Sequence, residues 1–90
     1  MNTLEIYSKW WCGYCRMAKA LLKKEGIAYE EIDVTFGGEK ETEMIKRSGR
    51  QTVPQIFIKN EPIGGYTDLA KLSSTMNLRD LISPDNEQPG

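Results

Sequence analysis

Apolar and polar residues follow two different periods along the first third of the chain. Residues 3–8 alternate between apolar and polar side chains, which is the period of a strand with one buried face. Apolar residues then repeat at helical spacing from Met17 to Leu22, and Gly26 is suited to end that helix. Residues 27–34 have the composition of a second strand. A strand, a helix and a strand in this order predict a βαβ unit with parallel strands.

The order of charges predicts a second helix over residues 39–48. Acidic side chains come early in this segment and basic side chains come late, an order that suits the helix dipole, and Gly49 follows the last of them. The apolar residues of the segment are essentially Met44 and Ile45. We therefore expect a surface helix that places one edge against the sheet.

The last third of the chain predicts a hairpin followed by a helix. Residues 55–58 and 62–64 are two strand-like runs joined by a short polar turn, and Pro62 favours an edge position for the second strand. Thr67 is expected to cap a final helix. The predicted inner face of that helix consists of Leu69, Leu72 and Met76.

The end of the chain changes in composition. A short apolar turn is predicted from Leu78, Leu81 and Ile82, whereas residues 83–90 are polar and contain two prolines. The sequence contains no internal repeat. We therefore predict one domain over residues 1–82, followed by a polar tail over residues 83–90.

Charge and composition narrow the classes of partner. Lysine and arginine number 12 against 13 aspartate and glutamate, and a net charge of −1 gives no reason to expect nucleic acid or a membrane as a partner. Residues 1–5 lack the basic and apolar regions of a secretion signal, and no segment approaches the roughly 20 apolar residues of a membrane span. We therefore expect a cytoplasmic protein.

Two cysteines, Cys12 and Cys15, are the most informative residues of the chain. A bond between them would close a very small loop and would stabilise the fold little, so the pair is expected to serve chemistry. The chain has no histidine, which excludes Cys-His and Ser-His hydrolases and leaves a zinc site short of ligands. Cysteines three residues apart at the start of a helix need only a modest rearrangement to form a disulfide. The spacing therefore predicts a redox centre.

The two cysteines are not expected to be equivalent. Cys12 would lie at the end of the helix, near solvent and near unpaired backbone N–H groups, and is predicted to be the attacking thiolate. Cys15 would lie one turn further in and act as the resolving thiol. Lys9, Arg16 and Lys19 either add positive potential to the pair or are ordinary solvated charges. Trp10 and Trp11 are equally compatible with a role at the site and with packing or plain surface.

Several separated segments, in order along the chain, resemble the dithiol glutaredoxins of bacteria. The segments that carry the resemblance are residues 7–9, the tetrapeptide Cys12-Gly13-Tyr14-Cys15, and residues 44–50, 52–58 and 63–69. The resemblance implies a thioredoxin-like α/β fold with a four-stranded mixed sheet, about three helices and the order β-α-β-α-β-β-α. It also implies that Pro54 follows a cis peptide bond and faces the cysteines.

The resemblance further implies that glutathione is the co-substrate. Tyr14 would flank the sulfurs, Val53 would pair with the tripeptide backbone, and Lys9 and Gln51 would lie near its glycine carboxylate. The γ-glutamyl end would be received by residues at the start of the last helix. The complete set of implied glutathione-binding residues is Lys9, Tyr14, Gln51, Thr52, Val53, Pro54, Gly65, Tyr66, Thr67 and Asp68.

The implied reaction is glutathione-dependent thiol–disulfide exchange. Its catalytic residues would be Cys12 and Cys15, and its protein partners would carry disulfides or glutathionylated cysteines. The apo protein would hold no metal and would be a monomer.

Two departures from the usual glutaredoxin pattern leave a second function open. Trp11 and Gly13 stand where a small polar residue and a proline are common, and such sequences include iron–sulfur members of the family. In that alternative, Cys12 of each of two chains and two glutathione molecules would hold one [2Fe–2S] cluster in a dimer.

Overall fold

The computed structural model describes residues 4–76, 78 and 81 of the 90-residue chain. The predicted polar tail over residues 83–90, and Ile82 of the predicted apolar turn, lie outside the described residues. The elements in chain order are β1 (Leu4–Ser8), α1 (Gly13–Lys24), β2 (Glu30–Asp33), α2 (Glu39–Ser48), β3 (Gln55–Ile58), β4 (Glu61–Gly64) and α3 (Tyr66–Thr75). This is the predicted order of strands and helices.

The described strands form one mixed sheet in the order β2-β1-β3-β4. β1 and β2 are parallel, as predicted for a βαβ unit, whereas β3 is antiparallel to both β1 and β4. β4 lies at an edge of the sheet and contains Pro62, as predicted. The arrangement is the thioredoxin-like α/β fold that the resemblance implied.

β1 is buried on both of its faces. Leu4 and Ile6 pack on one face, and Tyr7 packs on the opposite face. The prediction of a single buried face was therefore wrong, because β1 is an inner strand and helices cover the sheet on both sides. β2 is shorter than predicted, although Ile27 and Val34 beside it are buried.

Two apolar clusters hold the layers together. The cluster on the side of α1 and α3 consists of Leu4, Ile6, Ala18, Leu22, Ile27, Ile56, Ile58, Leu69 and Leu78. The cluster on the side of α2 consists of Tyr7, Val34, Met44 and Phe57. Burial of this apolar surface is the main force that fixes the loops at the end of β1, where the cysteines lie.

Arg47 fastens α2 to the sheet. Its guanidinium donates hydrogen bonds to the Tyr7 hydroxyl at 2.7 Å and to Glu5 Oε1 at 2.8 Å. The same group lies 4.0 Å from the centre of the Phe57 ring, within the range of a cation–π interaction. Burial raises the pKa of the Tyr7 hydroxyl, which stays protonated and donates to Glu43 at 3.0 Å.

The helix ends show which local predictions hold. α2 covers the predicted residues and ends at Gly49, which has φ of 76°. α3 begins two residues earlier than the cap prediction requires, with Gly65 at the N-cap, so Thr67 lies inside the first turn and the prediction that it is the cap was wrong. Met76 follows the end of α3 and is 45% exposed, so it is not part of the inner face.

No helix in the described part of the chain is long and apolar enough to span a bilayer.

Candidate functional site

The cysteine pair lies where the chain passes from β1 into α1. Cys12 is the N-cap residue of α1 and has an extended backbone, with φ of −83° and ψ of 119°. Its backbone N–H donates to the carbonyl of Lys9 at 3.1 Å, and its own carbonyl accepts from the N–H of Arg16 at 3.2 Å. Cys15 lies in the first turn of the helix. Both cysteines are free thiols, as the predicted redox pair requires.

The two sulfurs have different surroundings. Cys12 is 7% exposed, whereas Cys15 is completely buried. Cys12 Sγ accepts a hydrogen bond from the N–H of Cys15 at 3.2 Å. Burial, assisted by the hydrogen bond with Cys12, raises the pKa of Cys15 to about 12. Cys15 is therefore a protonated thiol at neutral pH, and Cys12 is the one that a molecule in solution reaches.

The loop before β3 faces Cys12. The peptide bond between Val53 and Pro54 is cis, as the resemblance implied. The thiol of Cys12 approaches the carbonyl oxygen of Val53 at 3.7 Å. An extended peptide that pairs with this backbone would pass beside Cys12.

Gln55 holds this loop in place, and the sequence analysis did not identify it. Its side chain is buried, with 2% exposure, and Nε2 donates to the Thr52 carbonyl at 3.0 Å and to Thr52 Oγ1 at 3.2 Å. A buried amide needs such partners, since leaving it without them is costly. The available signal was a polar residue at the start of β3, where the following residues are all apolar.

An open groove of about 300 Å³ runs beside the loop toward the start of α3. It is lined by Tyr14, Arg50, Thr52, Val53, Pro54, Gln55, Gly65, Tyr66, Thr67 and Asp68. The rings of Tyr14 and Tyr66 stack at one wall, with their centres 6.1 Å apart. The groove thus gathers all but two of the residues that the resemblance implied for glutathione.

The start of α3 forms the far end of the groove. The carboxylate of Asp68 accepts a hydrogen bond from the N–H of Gly65 at 3.0 Å. Gly64 before it has φ of 119°, and a β-carbon at Gly64 would overlap the Asp68 carboxylate. Backbone N–H groups in the first turn of a helix, together with the helix dipole, favour an anion.

Lys9 and Gln51 are the two implied residues that do not line the groove. Lys9 instead forms an ion pair with Glu41 at 3.9 Å and lies 5.5 Å from the centre of the Trp11 ring. Gln51 is exposed. Arg50 is the cation that the structure places in the groove, and the sequence analysis did not select it, although it lies two residues before Thr52.

The other charges near the cysteines are engaged or exposed. Lys19 forms an ion pair with Glu31 at 2.8 Å, and the hydroxyl of Ser8 donates to the same carboxylate oxygen at 2.6 Å. These contacts lower the pKa of Glu31, and the bond to Glu31 raises the pKa of Lys19. Arg16 is exposed on α1.

The described residues contain no group of three or more cysteine, aspartate or glutamate side chains placed to hold a metal ion. Since Cys15 is buried, one chain offers the thiol of Cys12 alone to an external metal or cluster.

Comparison with known proteins identifies the family. Residues 4–63, more than half of the chain, match the family model described as glutaredoxin. The chain is 48% identical over 82 residues to glutaredoxin 3 of Escherichia coli strain K12, which covers 91% of this chain and 99% of that protein.

Solved structures agree with this match. The solution structure of glutaredoxin from Brucella melitensis has a TM-score of 0.76 at 43% identity and covers 91% of this chain and 89% of that one. The crystal structure of a buckwheat glutaredoxin–glutathione complex has a TM-score of 0.80 at 27% identity. The match covers 91% of this chain and 77% of that one. The chain therefore belongs to the glutaredoxin family of thiol oxidoreductases.

Proposed function

We propose that this protein is a cytoplasmic, glutathione-dependent thiol–disulfide oxidoreductase in which Cys12 is the nucleophile. The observation that carries the proposal is the position of the Cys12 sulfur. It lies at the start of α1, where Cys12 is 7% exposed and Cys15 is completely buried, and it is 3.7 Å from the carbonyl of Val53, which lines a groove suited to a small peptide. The buckwheat relative, solved as a glutathione complex, supports the choice of peptide.

Glutathione fits the distribution of charge along the groove. At neutral pH it carries a carboxylate at each end and an ammonium group beside one of them. We assign the γ-glutamyl carboxylate to the backbone N–H groups at the start of α3 and the ammonium group to Asp68. The glycine carboxylate is then assigned to Arg50. The backbone of Val53 pairs with the middle of the tripeptide, and its sulfur is directed to Cys12.

With a glutathionylated protein, the reaction needs Cys12 and one further glutathione. The Cys12 thiolate attacks the glutathione sulfur, the original disulfide breaks, and the protein leaves as a thiolate that takes up a proton. A second glutathione thiolate then attacks the glutathione sulfur bound to Cys12. Glutathione disulfide leaves and the Cys12 thiolate is restored, so the net reaction converts the mixed disulfide and one free glutathione into the protein thiol and glutathione disulfide.

With a protein disulfide, the reaction also uses Cys15. Attack by Cys12 gives a mixed disulfide with one substrate cysteine and releases the other as a thiolate. Cys15 then attacks Cys12 Sγ, the proton of Cys15 passes to the leaving thiolate, and a Cys12–Cys15 disulfide forms. Two glutathione molecules reduce this disulfide and become glutathione disulfide. The raised pKa of Cys15 means that its deprotonation and attack occur together with departure of the substrate thiolate.

The test of the proposal is its dependence on glutathione. The substrates are the mixed disulfides that 2-mercaptoethanol forms with glutathione and with cysteine, and the reductant is glutathione at one fixed concentration. We expect rapid reduction of the glutathione mixed disulfide and at least tenfold slower reduction of the cysteine mixed disulfide, because cysteine lacks the γ-glutamyl and glycine groups that the groove would bind. Equal rates with the two substrates would contradict a glutathione site.

A second candidate function is the cluster-binding role implied by Trp11 and Gly13. The observation in its favour is that Cys12 is accessible while Cys15 is buried, so each chain would supply one thiolate. Two chains and two glutathione molecules would then complete four sulfur ligands, and the protein would be a dimer only in that state. Anaerobic reconstitution with iron, sulfide and glutathione tests this role. A colourless monomer after reconstitution would exclude it.

A further inference from the structure

Three exposed aromatic side chains form a surface that the proposed reaction does not use. Trp10 is 69% exposed, Trp11 is 55% exposed and Phe36 is 90% exposed. We call Trp10, Trp11 and Phe36 the aromatic patch. None of the three lines the groove assigned to glutathione.

The aromatic patch lies at the end of the sheet where β1 and β2 terminate. Because the two strands are parallel, their carboxyl ends are on the same side, and the loops that follow them run side by side. The backbone N–H of Trp10 donates to Thr35 Oγ1 at 3.0 Å. The backbone N–H of Thr35 in turn donates to the side-chain oxygen Oδ1 of Asp33 at 3.0 Å. These contacts place Phe36 next to the loop that carries Trp10 and Trp11.

An ion pair between Lys9 and Glu41 lies beside the aromatic patch. Lys9 lies 5.5 Å from the centre of the Trp11 ring and pairs with Glu41 at 3.9 Å. The turn that follows Phe36 contains Gly37 with φ of 75°, and a β-carbon there would lie 3.2 Å from Glu41 Oε1. This pairing neutralises Lys9 and Glu41, and the Asp33 carboxylate that accepts from Thr35 also lies beside the patch.

Exposed apolar side chains are concentrated in this region. The large exposed hydrophobic residues among the described part of the chain are Trp10, Trp11, Tyr14, Met17, Phe36 and Met76. All but Met76 lie on α1 near the cysteines or in the loops after β1 and β2. Single exposed apolar side chains are ordinary, whereas a group at one place marks an interaction surface.

We propose that the aromatic patch docks the protein substrate through apolar side chains that flank its disulfide-forming cysteine. The proposal rests on the function proposed above. Cys12 lies between the aromatic patch and the groove. Trp11 of the patch precedes it in the chain, and the Cys12 sulfur contacts Val53 of the groove. A mixed disulfide has a glutathione side and a protein side. When the groove holds the glutathione side, the protein side is left to the aromatic patch.

The chemistry of the patch selects an apolar segment over a charged one. Lys9 and Glu41 pair with each other, and the Asp33 carboxylate already accepts from Thr35, so a charged segment would gain little there. Burial of an exposed phenylalanine ring by an apolar partner releases water from a large apolar area and favours association. Phe36, with the largest exposed fraction, is the side chain expected to contribute most.

The test compares two glutathionylated synthetic peptides with a small disulfide. In one peptide the modified cysteine is flanked by leucine and phenylalanine, and in the other it is flanked by serine and glycine. The small substrate is the mixed disulfide of glutathione and 2-mercaptoethanol. The variants are Phe36→Ser, Phe36→Leu as the apolar replacement, and Met76→Ser as an exposed apolar position outside the patch.

We expect wild type to favour the apolar peptide over the polar peptide in kcat/KM. Phe36→Ser is expected to lower the ratio of kcat/KM for the apolar peptide to that for the small substrate by about fivefold. Phe36→Leu and Met76→Ser are expected to keep that ratio within about twofold of wild type, because leucine retains an apolar surface and Met76 lies elsewhere.

Three results would overturn the docking surface. Wild type could show no preference between the peptides, or Phe36→Ser could lower activity on all substrates equally. Sedimentation could instead show that wild type is a dimer and Phe36→Ser a monomer, which would assign the patch to a second copy of the chain. An enzyme inactive even on the small substrate would overturn the proposed function, and the docking surface with it.

Discussion

Cys12 Sγ accepts a hydrogen bond from the backbone N–H of Cys15 at 3.2 Å. One contact thus makes the two cysteines chemically unequal. Cys12 is the N-cap residue of α1 and its sulfur accepts a helix N–H, whereas Cys15 is completely buried and burial keeps it a thiol at neutral pH. This asymmetry is the physical basis for assigning attack to Cys12 and resolution to Cys15.

The first prediction concerns alkylation of the reduced protein. Cys12 is 7% exposed at the start of α1, whereas Cys15 is completely buried and its pKa is raised to about 12. Iodoacetamide at neutral pH is therefore expected to modify Cys12 well before Cys15, as followed by peptide mass spectrometry over time. Cys12→Ser is the control and should react slowly. Faster modification of Cys15 would reverse the assignment.

The second prediction concerns stability at alkaline pH. Burial raises the pKa of Cys15 from 9.0 to about 12, so between these values the unfolded chain has lost a proton that the folded protein keeps. The stability contributed by this thiol is complete below pH 9 and is lost as the pH rises toward about 12. Under reducing conditions, the free energy of unfolding should therefore fall with increasing pH in that window.

Urea denaturation at about pH 8 and about pH 10.5 measures this effect. Wild type is expected to lose more of its free energy of unfolding between the two conditions than Cys15→Ala, which has no thiol to titrate at that position. The same loss in both proteins would show that Cys15 does not keep its proton in the folded state.

The third prediction separates two roles of Asp68. Its carboxylate accepts from the N–H of Gly65 and also lies in the groove, where we assign it to the ammonium group of glutathione. Asp68→Asn keeps an acceptor for Gly65 but removes the charge. It should raise the KM for the mixed disulfide of glutathione and 2-mercaptoethanol by about tenfold with little change in stability. Asp68→Ala should in addition lose about 1 kcal/mol of stability.

Measurements of KM and of thermal unfolding on both Asp68 variants distinguish these effects. A KM for Asp68→Asn equal to that of wild type would leave Asp68 with the helix cap as its only role.

The fourth prediction compares Arg50 with Lys9. The structure places Arg50 in the groove and Lys9 in an ion pair with Glu41. Arg50→Gln is therefore expected to raise the KM for the same mixed disulfide several-fold, and Lys9→Gln is expected to raise it less. Steady-state kinetics with varied concentrations of the mixed disulfide test the comparison. A larger effect of Lys9→Gln would restore the sequence-based assignment of the glycine carboxylate to Lys9.

The order of elements could be predicted because each one has a local signal. The charge order of α2, the hairpin between β3 and β4, and the position of the cysteines at a helix start all follow from neighbouring residues. The resemblance to glutaredoxins added the cis bond before Pro54, which composition alone would not indicate. The same resemblance supplied most of the residues that line the groove.

The errors lie where residues from different elements meet. Burial of β1 on both faces depends on its place inside the sheet, and the engagement of Lys9 depends on Glu41 in another element. Thr67 has the side chain of a helix cap, but the turn at Gly64 and the carboxylate of Asp68 move the helix start to Gly65. The first two relations are set by packing between elements, whereas the cap of α3 is a local contact between Gly65 and Asp68 that the choice of Thr67 missed.

The most direct test of the account is the glutathione-dependent reduction of a small mixed disulfide by wild type, Cys12→Ser and Cys15→Ser. The account predicts that Cys15→Ser retains this activity, because the mixed-disulfide reaction uses one cysteine, and that Cys12→Ser loses it. It also predicts that both variants fail with a protein disulfide as substrate. Retained activity in Cys12→Ser on the small disulfide would contradict the central claim.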